Sequence, residues 1–210
     1  MRPLILIGGG GHCTSIIDAA ESIGRKILGV LDIPEHYGET ILSTKVIGTD
    51  DDIPKYVDKA EFIITVGFIT NPATRIKLYN RIKEAGGKLA TIIASTAYVS
   101  KYATISEGTV IMHHAFVNAR AKVGKNVIIN SFANIEHDAE IGYQCHISTG
   151  TMVNGDCKVG DNCFIGSLSV LANGITVGED IIVGAGSLVR KSIHKKGIYS
   201  GNPAILKIKR

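Results

Sequence analysis

From Val99 onward the chain carries an aliphatic side chain at every sixth position. The series runs Val99, Ile105, Ile111, Val117, Val123, Ile129, Ile135, Ile141, Ile147, Val153, Val159, Ile165, Leu171, Val177, Val183 and Val189, with no residue inserted or lost. Four residues after most of these the side chain is small: Ala103, Thr109, Ala115, Ala121, Val127, Ala133, Ala139, Cys145, Thr151, Cys157, Cys163, Ser169 and Ser187. Ile175 and Ile181 are larger exceptions. A period of six fits neither a helix nor an alternating strand. It is the pattern of a hexapeptide parallel β-helix, in which each hexad makes one short strand and a corner. Three hexads close one triangular coil, and successive coils stack about 4.8 Å apart. The aliphatic positions then fill the prism, and the small ones fit where the wall bends.

Upstream the pattern changes. Residues 2–7 form an apolar run ending in Gly8-Gly9-Gly10-Gly11, and helical spacing follows from Thr14 to about Ser22. Apolar runs recur over residues 27–31, closed by Asp32, and over residues 62–66, closed by Gly67. The stretch Asp50-Asp51-Asp52-Ile53-Pro54 reads as a helix start, and residues 71–85 carry helical spacing. Strands alternating with helices predict a small parallel sheet of three or four strands, a Rossmann-like α/β lobe. The expected division is therefore a ligand-binding α/β domain over residues 1–90 and a β-helix over residues 91–210, with its first coil near Ile93. After Val189 the hexads stop, and residues 190–204 read as a loop and a final strand. That strand covers the last coil, whose open end would otherwise expose backbone.

Composition narrows the function classes. A hydrophobic share of 45% with 20% charged residues predicts a folded chain rather than a disordered one. The net charge of +4 is mild, Trp is absent, and no basic cluster is interleaved with aromatics, so nucleic acid is not an expected partner. Arg190, Lys191, Lys195 and Lys196, with Lys207, Lys209 and Arg210, read as solvated ends; the alternative is attraction for a phosphorylated ligand. The apolar opening is too brief for a signal peptide or a membrane span, which predicts a cytoplasmic protein without membrane insertion. Cys145, Cys157 and Cys163 fall on the small interior position, as expected of buried reduced thiols.

In parallel sheets, ligands bind beyond the carboxyl ends of the strands. Here those ends carry Gly8 to His12, Asp32 and Gly67, followed by the free amides of a helix start. The run fits a ligand loop or a tight turn. It is not a dinucleotide fingerprint, because the required third glycine falls on Cys13 or Thr14, which disfavours a dehydrogenase. In the β-helix the densest polar group is Glu136-His137-Asp138, with His146 half a coil further on. An imidazole beside a carboxylate is a general base whose tautomer and basicity that carboxylate sets. Gly155 lies eighteen residues after His137, one coil away at the same corner, where its amide could receive an oxyanion. The alternative is an exposed polar corner. His113 and His114 fall on a different face, as solvent-exposed or interface residues. His137 has no second histidine at ligand spacing, so no metal is expected.

The Gly-rich lobe, the uninterrupted hexads, the string from Asn130 through Ile135-Glu136-His137-Asp138 to His146, and the ending Gly201-Asn202-Pro203-Ala204 resemble one family. It is the bacterial nucleotide-sugar N-acetyltransferases of the left-handed β-helix superfamily, a layout shared by sialic-acid O-acetyltransferase-like proteins. The resemblance implies acetyl-CoA as cosubstrate, a UDP- or GDP-linked amino sugar as partner, and a homotrimer with its site between subunits. By position it implies His137 as general base, Asp138 as the group raising its basicity, and Gly155 as the oxyanion amide. It assigns His146, Ser167 and Ala185 to acetyl-CoA, and Asn130 to the sugar. Gly10, Gly11, His12, Asp32 and Gly67 are assigned to the nucleotide. An O-acetyltransferase acting on a sugar hydroxyl, or a non-catalytic nucleotide-sugar-binding trimer, would share much of this pattern.

Overall fold

The computed structural model describes residues 1–209. Its first part contains the strands β1 (Leu4–Ile7), β2 (Ile27–Leu31), β3 (Thr40–Ile41), β4 (Thr44–Gly48) and β5 (Glu61–Ile64), with helices α1 (Gly11–Ser22) and α2 (Ala73–Glu84). The strands form one sheet in the order β3-β4-β2-β1-β5. It is parallel except for β3, which pairs antiparallel with β4. β1 and the ends of β2 and β5 are fully buried, as continuous apolar runs covered on both faces should be.

Three expectations are corrected. The sheet has five strands rather than three or four, because the hairpin of β3 and β4 sits at an edge, where its mixed polar sequence gives no apolar run. Helix α1 starts at Gly11, three residues before Thr14, since the glycines lead straight into it. The acidic stretch forms only a 3₁₀ turn, Asp50–Lys55. Thr49 and Asp52 do close a capping box there, but Pro54 has no N–H to donate and disfavours helical geometry at Ile53.

The rest of the chain is the β-helix. Its first face holds Ile92–Ile93, Val110–Ile111, Ile128–Ile129, His146–Ile147, Phe164–Ile165 and Ile181–Val183. The second holds Tyr98–Val99, Phe116–Val117, Asn134–Ile135, Met152–Val153, Val170–Leu171 and Leu188–Val189. The third holds Thr104–Ile105, Lys122–Val123, Glu140–Ile141, Lys158–Val159 and Thr176–Val177. All pairings between coils are parallel and in constant register, as Phe116 to Tyr98 below and Asn134 above illustrates. The aliphatic and small positions form one buried core from Ile111 to Val189, with Cys145, Cys157 and Cys163 as free thiols inside it.

Each corner has a fixed backbone. The third residue after each interior aliphatic has positive φ, from Gly108 at +76° to Gly186 at +64°. Asn126, Asp156, Asn162 and Asp180 suit this left-handed conformation. His114, Arg120, Phe132, Gln144 and Leu168 adopt it despite larger side chains.

The two parts share a core. Ile16, Ala19 and Ala20 of α1 pack with Ile92, Val110, Met112 and Ile128 of the first face, all buried. From α2 the buried Arg75 donates to the carbonyls of Ile64 and Val66, then to the carbonyl and side chain of Asn126. At the far end the tail adds two strands rather than the single one expected. Gly197–Ser200 runs parallel to Ile181–Val183, and Ile205–Lys209 returns antiparallel after a turn at Gly201. Among the described residues no helix is long and apolar enough to cross a membrane.

Candidate active site

His137 stands at the corner between the second and third faces. Its Nδ1 lies 2.8 Å from Asp138 Oδ2. Asp138 also accepts two bonds from Arg120, Nε to Oδ1 at 2.6 Å and Nη2 to Oδ2 at 2.8 Å. The Arg120 bonds, then the His137 bond, hold the Asp138 carboxyl down to about 2. An ionised carboxylate can only accept, so Nδ1 donates to it, and in the neutral ring the lone pair then sits on Nε2. That nitrogen lies over Gly155: a Cβ added there would stand 2.7 Å from both Cε1 and Nε2. Glycine is the one residue that lets the ring rest against the next coil. Glu136 alongside is held by Asn118 Nδ2 at 2.7 Å and Asn134 Nδ2 at 3.1 Å; the Asn118 bond is the larger cause of its lowered pKa.

A second group forms where the lobe meets the first face. His146 Nδ1 donates to the Phe68 carbonyl at 2.8 Å, which leaves Nε2 to accept from Asn130 Nδ2 at 3.3 Å. The rings of Phe68, Phe164 and His12 surround it at centroid distances of 5.8, 5.2 and 6.4 Å. Burial pushes His146 down to about 4; burial, then the charge of Arg75, pushes His12 down to about 3. Both imidazoles are neutral near pH 7, and His12 Nε2 has no hydrogen-bond partner among the described residues. Gly67 lies against His12, its added Cβ 3.9 Å from that of the histidine.

The lobe glycines divide by surroundings. A side chain at Gly9 would meet Asp32 Oδ2 at 2.5 Å, whereas Gly10 and Gly11 face open space. The Asp32 carboxylate is bonded at 2.7 Å to His36 Nδ1. Ser167 and Ala185 lie one coil apart at the corner between the first and second faces, and Ser167 Oγ shares a 2.8 Å hydrogen bond with Ser148 Oγ. His113 and His114 occupy that same corner lower down, bonded to Thr96 and stacked on Phe132 respectively.

The structure thus gathers His137, Asp138 and Gly155 in one group, and His12, Gly67, Asn130 and His146 in another, with Asp32 beside the glycine loop. It does not bring the first group to the second. The full width of the second face separates them within one chain.

The N-terminal part matches the PglD N-terminal domain over residues 3–82, and residues 156–191 match the bacterial transferase hexapeptide family of six repeats. Along nearly its whole length the fold is similar to perosamine N-acetyltransferase from Caulobacter crescentus, solved with CoA and GDP-perosamine. The TM-score is 0.92 at 27% identity, covering 99% of this chain and 97% of that one. The acetyltransferase domain of PglB from Neisseria gonorrhoeae, solved with acetyl coenzyme A, is similar at a TM-score of 0.91 and 27% identity, covering 98% and 99%. The N-terminal domain is of the PglD type, and the chain is an acyltransferase. No curated protein matches it in sequence.

Sequence reasoning missed Arg120, Phe68 and Arg75 of this acyltransferase. Arg120 has a signal, since it precedes Asp138 by the same eighteen residues that separate His137 from Gly155. Phe68 and Arg75 act across the seam between lobe and β-helix, which no local pattern reports.

Proposed function

We propose that the chain transfers the acetyl group of acetyl-CoA to the amino group, most simply the 4-amino group, of a UDP- or GDP-linked amino sugar. It does so as a cytoplasmic homotrimer serving polysaccharide biosynthesis. The observation that carries this reading is the His137 imidazole, with Nδ1–H bonded to Asp138 and Nε2 over Gly155, in a chain that matches N-acetyltransferases from end to end. The neutral amine of the sugar attacks the thioester carbonyl as His137 Nε2 takes one proton from its nitrogen. The Gly155 amide receives the developing oxyanion. Collapse of the intermediate breaks the C–S bond, and the proton on His137 passes to the departing thiolate. No acyl-enzyme is formed.

Asn130 supplies a polar edge for the sugar, while Gly10, Gly11, His12, Asp32 and Gly67 take the nucleotide. His146, Ser167 and Ala185 line the path of acetyl-CoA. The separation of the two groups within one chain supports assembly of each site from two copies. The surface between them supports it too: the second face turns Tyr98, Phe116, Met152, Val170 and Leu188 outward, flanked by Phe132 at 61% and Leu168 at 71% exposure. An apolar strip of this kind marks an interaction surface.

The test is thiol release from acetyl-CoA against a panel of UDP- and GDP-4-amino sugars, with free sialic acid alongside. Release with a nucleotide amino sugar is expected. Release with sialic acid alone would replace the reading by O-acetylation, and CoA binding without transfer to any acceptor would favour a binding protein.

A further inference from the structure

We propose that Arg120 is a positioning residue, whose guanidinium fork fixes the Asp138 carboxylate and through it orients and moderates the His137 base. The inference rests on His137 acting as that base. Arg120 stands one coil before Asp138 at the same corner, and both hold left-handed backbone, at φ +61° and +62°. The side chains therefore leave the prism in parallel, and Nε and Nη2 meet the two carboxylate oxygens as a fork meets a fork. Arginine is an unfavourable occupant of this backbone position, where Asp or Asn stands at Asn126, Asp156, Asn162 and Asp180. His114, Phe132, Gln144 and Leu168 share that conformation elsewhere, so what sets Arg120 apart is the paired carboxylate one coil on.

Two consequences follow from the shared oxygen. Asp138 Oδ2 accepts from both Arg120 Nη2 and His137 Nδ1. A carboxylate held by His137 alone could turn about its own bonds. Held at both oxygens by a planar fork, it sets the plane in which the imidazole points Nε2 at Gly155. Charge is the second consequence. Asp138 stabilises an imidazolium, and the guanidinium offsets part of that stabilisation. The neighbouring acidic residues are Glu136, tied to Asn118 and Asn134, and Asp156, whose backbone N–H donates to the His137 carbonyl at 3.0 Å. Arg120 acts on the ring through the Asp138 carboxylate, with which its fork is paired. At 74% side-chain exposure its field is partly screened.

The test compares Arg120→Gln and Arg120→Lys with wild type, reading kcat and the pH dependence of kcat/KM for acetyl transfer. Arg120→Gln is expected to lower kcat by about tenfold through misplacement of the base. It also moves the acid limb of the profile upward by about half a unit to one unit, because Asp138 then acts on His137 unopposed. Arg120→Lys is expected to keep the limb near its wild-type place and still lose part of kcat, since an ammonium carries the charge without the fork. In an Asp138→Asn background, Arg120→Gln should change neither quantity further. A loss equal at every pH, with an unmoved limb, would reduce Arg120 to a structural residue, and wild-type behaviour of Arg120→Gln would remove the role altogether. His137→Ala run in parallel separates the two claims. Full turnover in that variant overturns the base assignment, whereas an inactive His137→Ala beside an unaffected Arg120→Gln overturns only the role given to Arg120.

Discussion

Gly155 owes its identity to the ring that lies on it. Its backbone does not need glycine's conformational freedom; the imidazole of His137 occupies the place a Cβ would take. Gly155→Ala therefore forces either the ring or the coil to move, and the ring, largely exposed and tied only through Nδ1, yields first. The expected outcome is a fall in kcat of about 10²-fold, the scale of a displacement near 1 Å at a reacting group. CoA affinity and thermal midpoint should be nearly unchanged. Steady-state kinetics with isothermal titration of CoA checks this, and a drop confined to KM would show that the glycine serves binding instead. At this scale much of the candidate site is legible in the chain, because a strict repeat turns sequence separation into distance. His137 and Gly155 can be paired by counting. Arg120 and Asp138 can be paired by the same count, but only the left-handed corner backbone reveals that such pairs project together.

Between elements, the seam of the lobe and the first face carries a pH dependence. His146 and His12 have folded pKa values of about 4 and about 3, below the ordinary 6.5, with burial as the leading cause in both. The unfolded chain therefore binds more protons than the folded one as pH falls below 6.5. The stability these groups contribute is complete above pH 6.5 and is lost progressively toward their folded values. Each unit of depression corresponds to about 1.4 kcal/mol. His36, raised chiefly by its bond to Asp32, works in the opposite sense, but it is an exposed ion pair with a small effect. The thermal midpoint should thus fall steadily from pH 7 to pH 5, and His146→Gln should flatten that slope. A midpoint independent of pH in the wild-type protein would mean that the seam opens to water before the fold is lost. The seam is also where sequence reading stops. The hexads and the three principal lobe strands follow from continuous apolar patterns, whereas the β3–β4 hairpin lies at a half-exposed edge and leaves no such run. Phe68 and Arg75 find their partners 78 and 51 residues away, through contacts that carry no periodicity.

For the whole molecule, the two residue groups at opposite edges of the second face make a prediction about mixed assemblies. His137→Ala and His146→Ala should each form inactive homotrimers. When the two chains are unfolded and reassembled together, some sites draw an intact His137 from one chain and an intact His146 from the other. With random mixing and one site per interface, about one quarter of wild-type activity should return. No recovery would mean that each chain builds its site alone, from groups the structure keeps apart. Subunit exchange followed by the thiol-release assay measures it.

The constant register of the coils has one more consequence, which concerns length. Since each coil adds eighteen residues and about 4.8 Å, the prism is graduated like a ruler. The step from Ser167 to Ala185, eighteen residues on, is one whole division. An insertion of any other size would rotate every later corner out of place, while gain or loss of a full coil would lengthen or shorten the cosubstrate's path by one division and leave each corner facing as before. The fold can therefore be tuned to a longer or shorter ligand in discrete steps without redesigning the residues that touch it.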